Sequence, residues 1–276
     1  TWDHFQQWLS MQSFDIVLLQ ETHWQFSSEW TQGQYHCMHS GVGPRQAGLL
    51  TMIATKLVQQ HGLSWSEPIK GRVLHTRLHG LHRGYDIINV YQHVYNVNRL
   101  EDRAHVWNTL HELFDALPKR NSFLLAGDLN TSLHKRCSAV GLGTFAHAEK
   151  RHWGPVHRDA EHFHNLLQVY NMVTLNTWKS SLGPTYSFGT QVSRIDYLCI
   201  KKVQTDQNAR DVHYLHAFPL LNLNGAKHVP LVSSVLKAWT PSPHVQQPGW
   251  SRAQRKALYQ HWIQQDEHAD ALRDEV

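Results

Sequence analysis

Two apolar runs, Ile16-Val17-Leu18-Leu19 and Phe123-Leu124-Leu125-Ala126, constrain this chain most: each is short and buried-strand-like, and each stops at polar or acidic residues. A run of four or five apolar residues is too short for a helix, and strands buried in a sheet read this way. The first run exits at Gln20-Glu21, the second at Gly127-Asp128-Leu129-Asn130. Further strands are expected at Tyr35–His39, Gly48–Ala54, Arg72–His79, Tyr85–Tyr91, Thr185–Phe188, Arg194–Ile200, Asp211–Phe218 and Val229–Leu236, separated by Gly- and Pro-bearing turns. Between them the period changes. Trp2, Phe5, Trp8 and Leu9 fall on one helical stripe, as do Val106, Trp107, Leu110, Leu113, Phe114 and Leu117, with Asn98 as the expected N-cap and Pro118 as the stop. A third helix is expected over Asp159–Tyr170. Strands, helix, strand, helix, strands describes an α/β (α+β) protein, a four-layer α/β sandwich in which two packed mixed sheets are flanked by helices.

This organisation is expected to fill residues 1–239. After Trp239, Pro241-Ser242-Pro243 and Gln246-Gln247-Pro248-Gly249 resemble a linker, followed by a helix from Ser251 to about Gln265 whose face of Trp250, Leu258 and Trp262 is expected to be a docking stripe or an interdomain spacer. No apolar run approaches the ~20 residues that cross a bilayer, so no membrane partner is expected. Cys37, Cys137 and Cys199 lie far apart without a C-x-x-C pair, which argues against a zinc ribbon or a disulfide framework. The start, Thr1-Trp2-Asp3-His4, lacks the features of a signal peptide and is expected to be cut from something longer. A formal charge of +4 permits a polyanionic partner without requiring one, while 23 histidines would strengthen such binding as pH falls. His147, His152, His157, His162 and His164 lack the i,i+4 spacing of a helical zinc pair and are expected to be a biased surface.

Functional side chains of a sandwich collect on the loops where strands stop. Glu21, Asp128, Asn130, Asp196 (within Arg194-Ile195-Asp196-Tyr197), His228 and Tyr91 all occupy such ends. Taken singly, Glu21 fits a solvated strand end, Asp128 and Asn130 a turn, Asp196 a local pair with Arg194, and Tyr91 a core aromatic. Taken together, they could converge on one phosphate and one oxygen-liganded cation, for which Mg²⁺ is suited.

The ordered set Asp15-Ile16-Val17-Leu18-Leu19-Gln20-Glu21-Thr22, Asn89-Val90-Tyr91, Gly127-Asp128-Leu129-Asn130, Ser193-Arg194-Ile195-Asp196-Tyr197 and Lys227-His228-Val229-Pro230-Leu231 resembles the endonuclease/exonuclease/phosphatase superfamily. The spacing is most similar to the apurinic/apyrimidinic-type endonuclease domain of non-LTR (LINE-type) retrotransposons. That resemblance implies a Mg²⁺-dependent endonuclease (Mn²⁺ as substitute ion) that nicks DNA to prime reverse transcription. It further implies a reverse transcriptase module on the same polyprotein and a nuclear location, and sets no oligomeric state. It implies Glu21 as metal ligand, Asp128 orienting or deprotonating the attacking water, Asn130 holding that water or a phosphate oxygen, and Tyr91 on the phosphate. His228 would stabilise or protonate the phosphorane, with Asp196 fixing its tautomer.

Three departures qualify the resemblance. The family's first strand, with its catalytic Asn, is expected before Thr1 and so missing. Lys227 stands where an acidic residue is usual, exchanging a negative for a positive charge near the ion or placing an ammonium on substrate phosphate. Gln92-His93 follows Asn-Val-Tyr where x-Pro is usual. A catalytically impaired DNA-binding remnant is the alternative these departures raise. A small-substrate phosphatase is the other, disfavoured by the lack of an extra basic cluster.

Overall fold

The computed structural model describes residues 2–43, 46–80, 83–133, 137–141, 156–179, 182–188, 191–205, 210–215, 218 and 227–235. Residues 1–242 form one compact unit and 243–276 a second. The expected linker after Trp239 and the helix from Ser251 lie outside the described residues, as does most of the Leu220–Lys227 loop.

The first sheet contains β1 (Ile16–Gln20), β2 (Ser28–Gln32), β3 (Tyr35–Ser40) and β4 (Leu49–Ala54) in the order β1-β4-β3-β2, antiparallel throughout. The second contains β5 (Leu63–Ile69), β6 (Val73–Leu78), β7 (Tyr85–Tyr91), β8 (Ser122–Asp128), β9 (Met172–Thr174) and β12 (Asp196–Lys201), ordered β5-β6-β7-β8-β12-β9. Only β7 and β8 run parallel, and α3 (Leu100–Ala116) makes the crossover that parallel neighbours require.

Alternation within each strand sends residues to two different cores. Met38 and Ile53 meet Ile87, Leu124 and Ala126 between the sheets. Cys37, Leu50 and Met52 face outward against Phe5 and Leu9 of α1 (Trp2–Ser10). On the far side, Trp107, Leu110 and Phe114 of α3 pack with Phe163, Leu166 and Leu167 of α4 (Val156–Val169) over Ile88, Val90 and Leu125. The result is helix, sheet, sheet, helix: the four-layer sandwich, its smaller sheet antiparallel. Each fully buried aliphatic side chain contributes roughly 1.5–3 kcal/mol to holding the layers together.

Several local readings are corrected. β1 is an edge strand, half-buried along its length rather than buried, because it pairs on one side only, with β4. Asn98 is not the cap of α3. Asn96 caps a 3-10 turn at Val97–Arg99, and α3 follows with Arg99 preceding it without a side-chain cap. The two long terminal strands shrink to β13 (His213–Tyr214) and β14 (Leu231–Val232), while β10 (Tyr186–Phe188) and β11 (Gln191–Ser193) form a small hairpin. β2 and α2 (Thr55–His61) carry too little apolar period to be seen in sequence, and β5, whose Leu63, Trp65 and Ile69 alternate with exposed residues, is not among the expected strands. Pro68 lies inside β5, tolerable because β5 is an edge strand with an irregular register there.

Candidate active site

Register builds the site. Tyr91 pairs with Asp128 across the parallel β7–β8 ladder, and Asp128 pairs with Asp196 across the antiparallel β8–β12 ladder. Partners directly opposite project on the same face, so three adjacent strand ends present a phenol and two carboxylates in one row. Gly127 makes this possible: at φ 141°, any Cβ would lie 1.9 Å from the carbonyl oxygen of Val90, so the ladder closes only on glycine.

A buried amide joins the first sheet to this row. Asn89, with no exposed surface, donates to the carbonyls of Leu19 (3.2 Å) and Leu50 (3.1 Å) and accepts from Gln20 Nε2 (2.7 Å). That bridge holds the end of β1 over the end of β7. The next residue, Glu21, turns into the left-handed region (φ 57°) and accepts a hydrogen bond from the Tyr91 phenol. Asn130, also left-handed (φ 45°), folds back on Asp128, donating from its backbone N–H to Oδ1 (2.8 Å) and from Nδ2 to Oδ2 (3.2 Å). Its Nδ2 also reaches the Gln92 carbonyl (2.8 Å).

Asp196 is fixed through its backbone, whose carbonyl accepts from Asn176 Nδ2 (2.8 Å) and whose N–H reaches Thr185 Oγ1 (3.2 Å). Its carboxylate oxygens accept from His228 Nδ1 at 3.1 and 3.2 Å. The Tyr186 ring meets the imidazole edge-on at 4.9 Å. Among the described residues, Asp128, Asp196 and His228 form the group that could hold a metal ion, one ligand atom from each lying within 4.8 Å of the others.

Charge is unbalanced here. Burial, then the neighbouring Asp196 and Glu21, pushes the Asp128 carboxyl well above the usual carboxylate range. For His228, burial alone would favour the neutral ring, but the hydrogen bond and charge of Asp196, with Asp128 and Glu21, raise it to about 9. The Tyr91 phenol is likewise raised by burial and by its bond to Glu21. Three carboxylates (Glu21, Asp128, Asp196) thus surround one imidazolium. A hard divalent cation with oxygen ligands fits that deficit of positive charge.

All of Glu21, Tyr91, Asp128, Asn130, Asp196 and His228 are brought together. Lys227 is not. Neighbours on an extended segment project to opposite sides, and with His228 turned toward Asp196, the Lys227 ammonium lies 4.2 Å from the exposed Phe188 ring. Among the described residues no ion pair links it to the three carboxylates. The expected exchange of charge beside the ion is therefore not what the fold produces. His147, His152 and the side chain of His157 lie outside the described residues, and His164 is buried beside Cys137.

Sequence reasoning missed the supports. Arg103 is fully buried on α3, pairing with Asp159 and donating to the carbonyls of His93 and Asn130. A cation on the helical stripe of Trp107, Leu110 and Phe114 was the available signal, since an arginine is seldom fully buried without partners. Asn176 and Thr185 gave none.

Residues 3–244 match the model of the Endonuclease/Exonuclease/phosphatase family. Among solved structures, an AP endonuclease from Archaeoglobus fulgidus aligns with a TM-score of 0.59 at 16% identity, over 83% of this chain and 92% of that one. A 3' phosphatase from Neisseria, bound to a product DNA hairpin, gives 0.57 at 17%, over 85% and 94%. An AP endonuclease from Leishmania major gives 0.56 at 17%, over 84% and 81%. At these identities the likeness is one of fold. No curated protein sequence matches.

Proposed function

The chain belongs to the endonuclease/exonuclease/phosphatase family, and from that premise we propose that it is a divalent-metal-dependent DNA endonuclease. Its biological setting in this reading is a retrotransposon polyprotein, where it nicks target DNA in the nucleus and leaves a 3′-hydroxyl for the attached reverse transcriptase. The observation that carries the proposal is the convergence of Glu21, Tyr91, Asp128, Asn130, Asp196 and His228 from five separate segments on one edge. DNA as substrate class is supported by the similar 3' phosphatase structure, which is bound to a product DNA hairpin. The spacing of the motifs and the Pro-rich stretch after Trp239 support the retrotransposon setting.

Each residue has a task in the in-line displacement. Glu21 would hold the metal through the oxygen that does not accept from Tyr91. Mg²⁺, or Mn²⁺ in its place, would supply neutralisation of phosphate charge. Asp128 accepts the proton of the attacking water, for which its elevated basicity suits it. Asn130 keeps that carboxylate oriented, its two Nδ2 hydrogens going to Asp128 and the Gln92 carbonyl, and leaves Oδ1 to accept from the attacking water. The Tyr91 phenol, which here donates to Glu21, is the group that would donate to a phosphate oxygen. His228 is cationic near neutral pH because of Asp196, and stabilises the charge of the phosphorane.

With Lys227 turned toward Phe188, the main electrostatic argument for an impaired remnant weakens. The test is conversion of supercoiled plasmid to nicked circle by the chain with Mg²⁺ or Mn²⁺, and extension of the new end by a DNA polymerase. Nicking that EDTA and Asp128→Ala both abolish is expected. Binding without nicking under either metal would leave the remnant reading, and turnover of inositol phosphates in place of DNA would leave the phosphatase.

A further inference from the structure

Beyond Tyr91 the chain runs into a loop and then α3, and this stretch gathers cations that the chemistry above does not use. The Arg72 guanidinium lies 4.5 Å over the Tyr91 ring and donates to the Tyr91 carbonyl (3.3 Å). The Arg99 guanidinium donates from Nη1 to His93 Nδ1 (3.3 Å). Arg103 closes the cluster from below, but its own donors are taken by Asp159 and by the carbonyls of His93 and Asn130. Arg72 and Arg99 are different. The charges of Glu21 and Asp102 reach this cluster, yet among the described residues neither guanidinium has an ion-pair partner.

We propose that Arg99, steadied by His93 and backed by Arg72, grips a DNA backbone phosphate next to the one that is cut. The inference rests on the endonuclease reading and adds a second anchoring point to it. Two guanidiniums held near each other without a carboxylate form a standing demand for an anion, and a phosphate meets a guanidinium with paired hydrogen bonds. His93 sets the geometry. Burial and the surrounding arginines hold its imidazole down to about 4, so it is neutral at physiological pH. Nδ1 then accepts from Arg99, and the hydrogen sits on Nε2, which becomes a second donor to the same phosphate. Exposed Val94 and Val97 on the same loop offer apolar surface for the neighbouring deoxyribose. A contact of this kind positions the strand and carries no sequence information.

The experiment measures binding of a fluorescent DNA duplex by anisotropy in EDTA between 50 and 200 mM salt, with plasmid nicking assayed in parallel. Removing one phosphate contact lowers the log–log salt slope by ~0.9, so the advantage of the parent chain over Arg99→Ala should shrink about 3- to 4-fold across that range. Arg99→Lys, which keeps the charge but cannot match the fork, should regain most of the slope and only part of the affinity. His93→Ala should weaken binding less than Arg99→Ala. A slope unchanged in Arg99→Ala, with nicking retained, would overturn the grip and leave the endonuclease standing. No salt-dependent duplex binding and no nicking by the parent chain would overturn both.

Discussion

Replacing Asp196 by Asn tests the His228 assignment most directly. An asparagine Oδ1 can still accept from His228 Nδ1, so geometry is preserved while the charge is removed. The imidazole now sits at about 9 only because Asp196 and its acidic neighbours outweigh a burial effect acting in the opposite direction. Without that charge, burial opposes only Asp128 and Glu21, and the imidazole should fall toward its ordinary 6.5. At pH 7.5 a group of pKa 9 is ~97% protonated and one of 6.5 only ~9%, so the cationic population drops about tenfold. At pH 6 the same comparison gives nearly 100% against ~76%, a loss below 1.5-fold. The sign is therefore fixed: Asp196→Asn should be about tenfold slower than the parent at pH 7.5 and recover most of that deficit by pH 6. The basic limb of its profile should move to lower pH by about two and a half units. Plasmid nicking from pH 5.5 to 9.5 measures the limb, and NMR titration of the His228 ring measures the pKa independently. A parent His228 titrating near 6.5, or an Asp196→Asn deficit constant across pH, would refute the reasoning.

Four further outcomes follow from the geometry. Asp128→Asn removes a buried carboxylate whose ionised form is disfavoured, so without divalent ion it should raise Tm by ~2–4 °C, the shift ~1 kcal/mol gives a domain this size, while abolishing nicking. Conversely Mg²⁺ should raise the Tm of the parent by mass action and have little effect on Glu21→Gln, which differential scanning fluorimetry would show. Gly127→Ala should cost roughly 3 kcal/mol or more in urea unfolding, because its Cβ meets the Val90 carbonyl at 1.9 Å on a backbone with φ 141°. Asn89→Ala strips the Leu19 and Leu50 carbonyls of a buried donor and should cost roughly 3 kcal/mol, with activity falling further as Glu21 loses its place over Tyr91.

Much of this was legible in the chain. Apolar runs ending in Glu21 and Asp128 announced strands that deliver carboxylates to an edge, and the periods of Trp107 and Phe163 announced the helices covering them. What escaped depends on partners distant in sequence. Nothing local marks Asn176 or Thr185 as the hands that hold Asp196, since each side chain grips only backbone groups of a segment distant in sequence. β2 and β5 lack an apolar run because edge strands bury only part of one face. The orientation of Lys227 follows from the alternation of an extended segment anchored at Tyr186, which position in the sequence alone does not reveal.

The alignment of Tyr91, Asp128 and Asp196 across three neighbouring strands makes chemistry a witness to folding. A one-step slip of β8 against β7 would bury the Asp128 carboxylate among aliphatic side chains and turn Gly127 toward the solvent edge. Such a molecule could not be partly active; it would contribute mass and no turnover. The specific activity of any preparation should thus scale with the fraction of chains that zipped correctly, and kinetic recovery after denaturation would report strand pairing as faithfully as any spectroscopic probe.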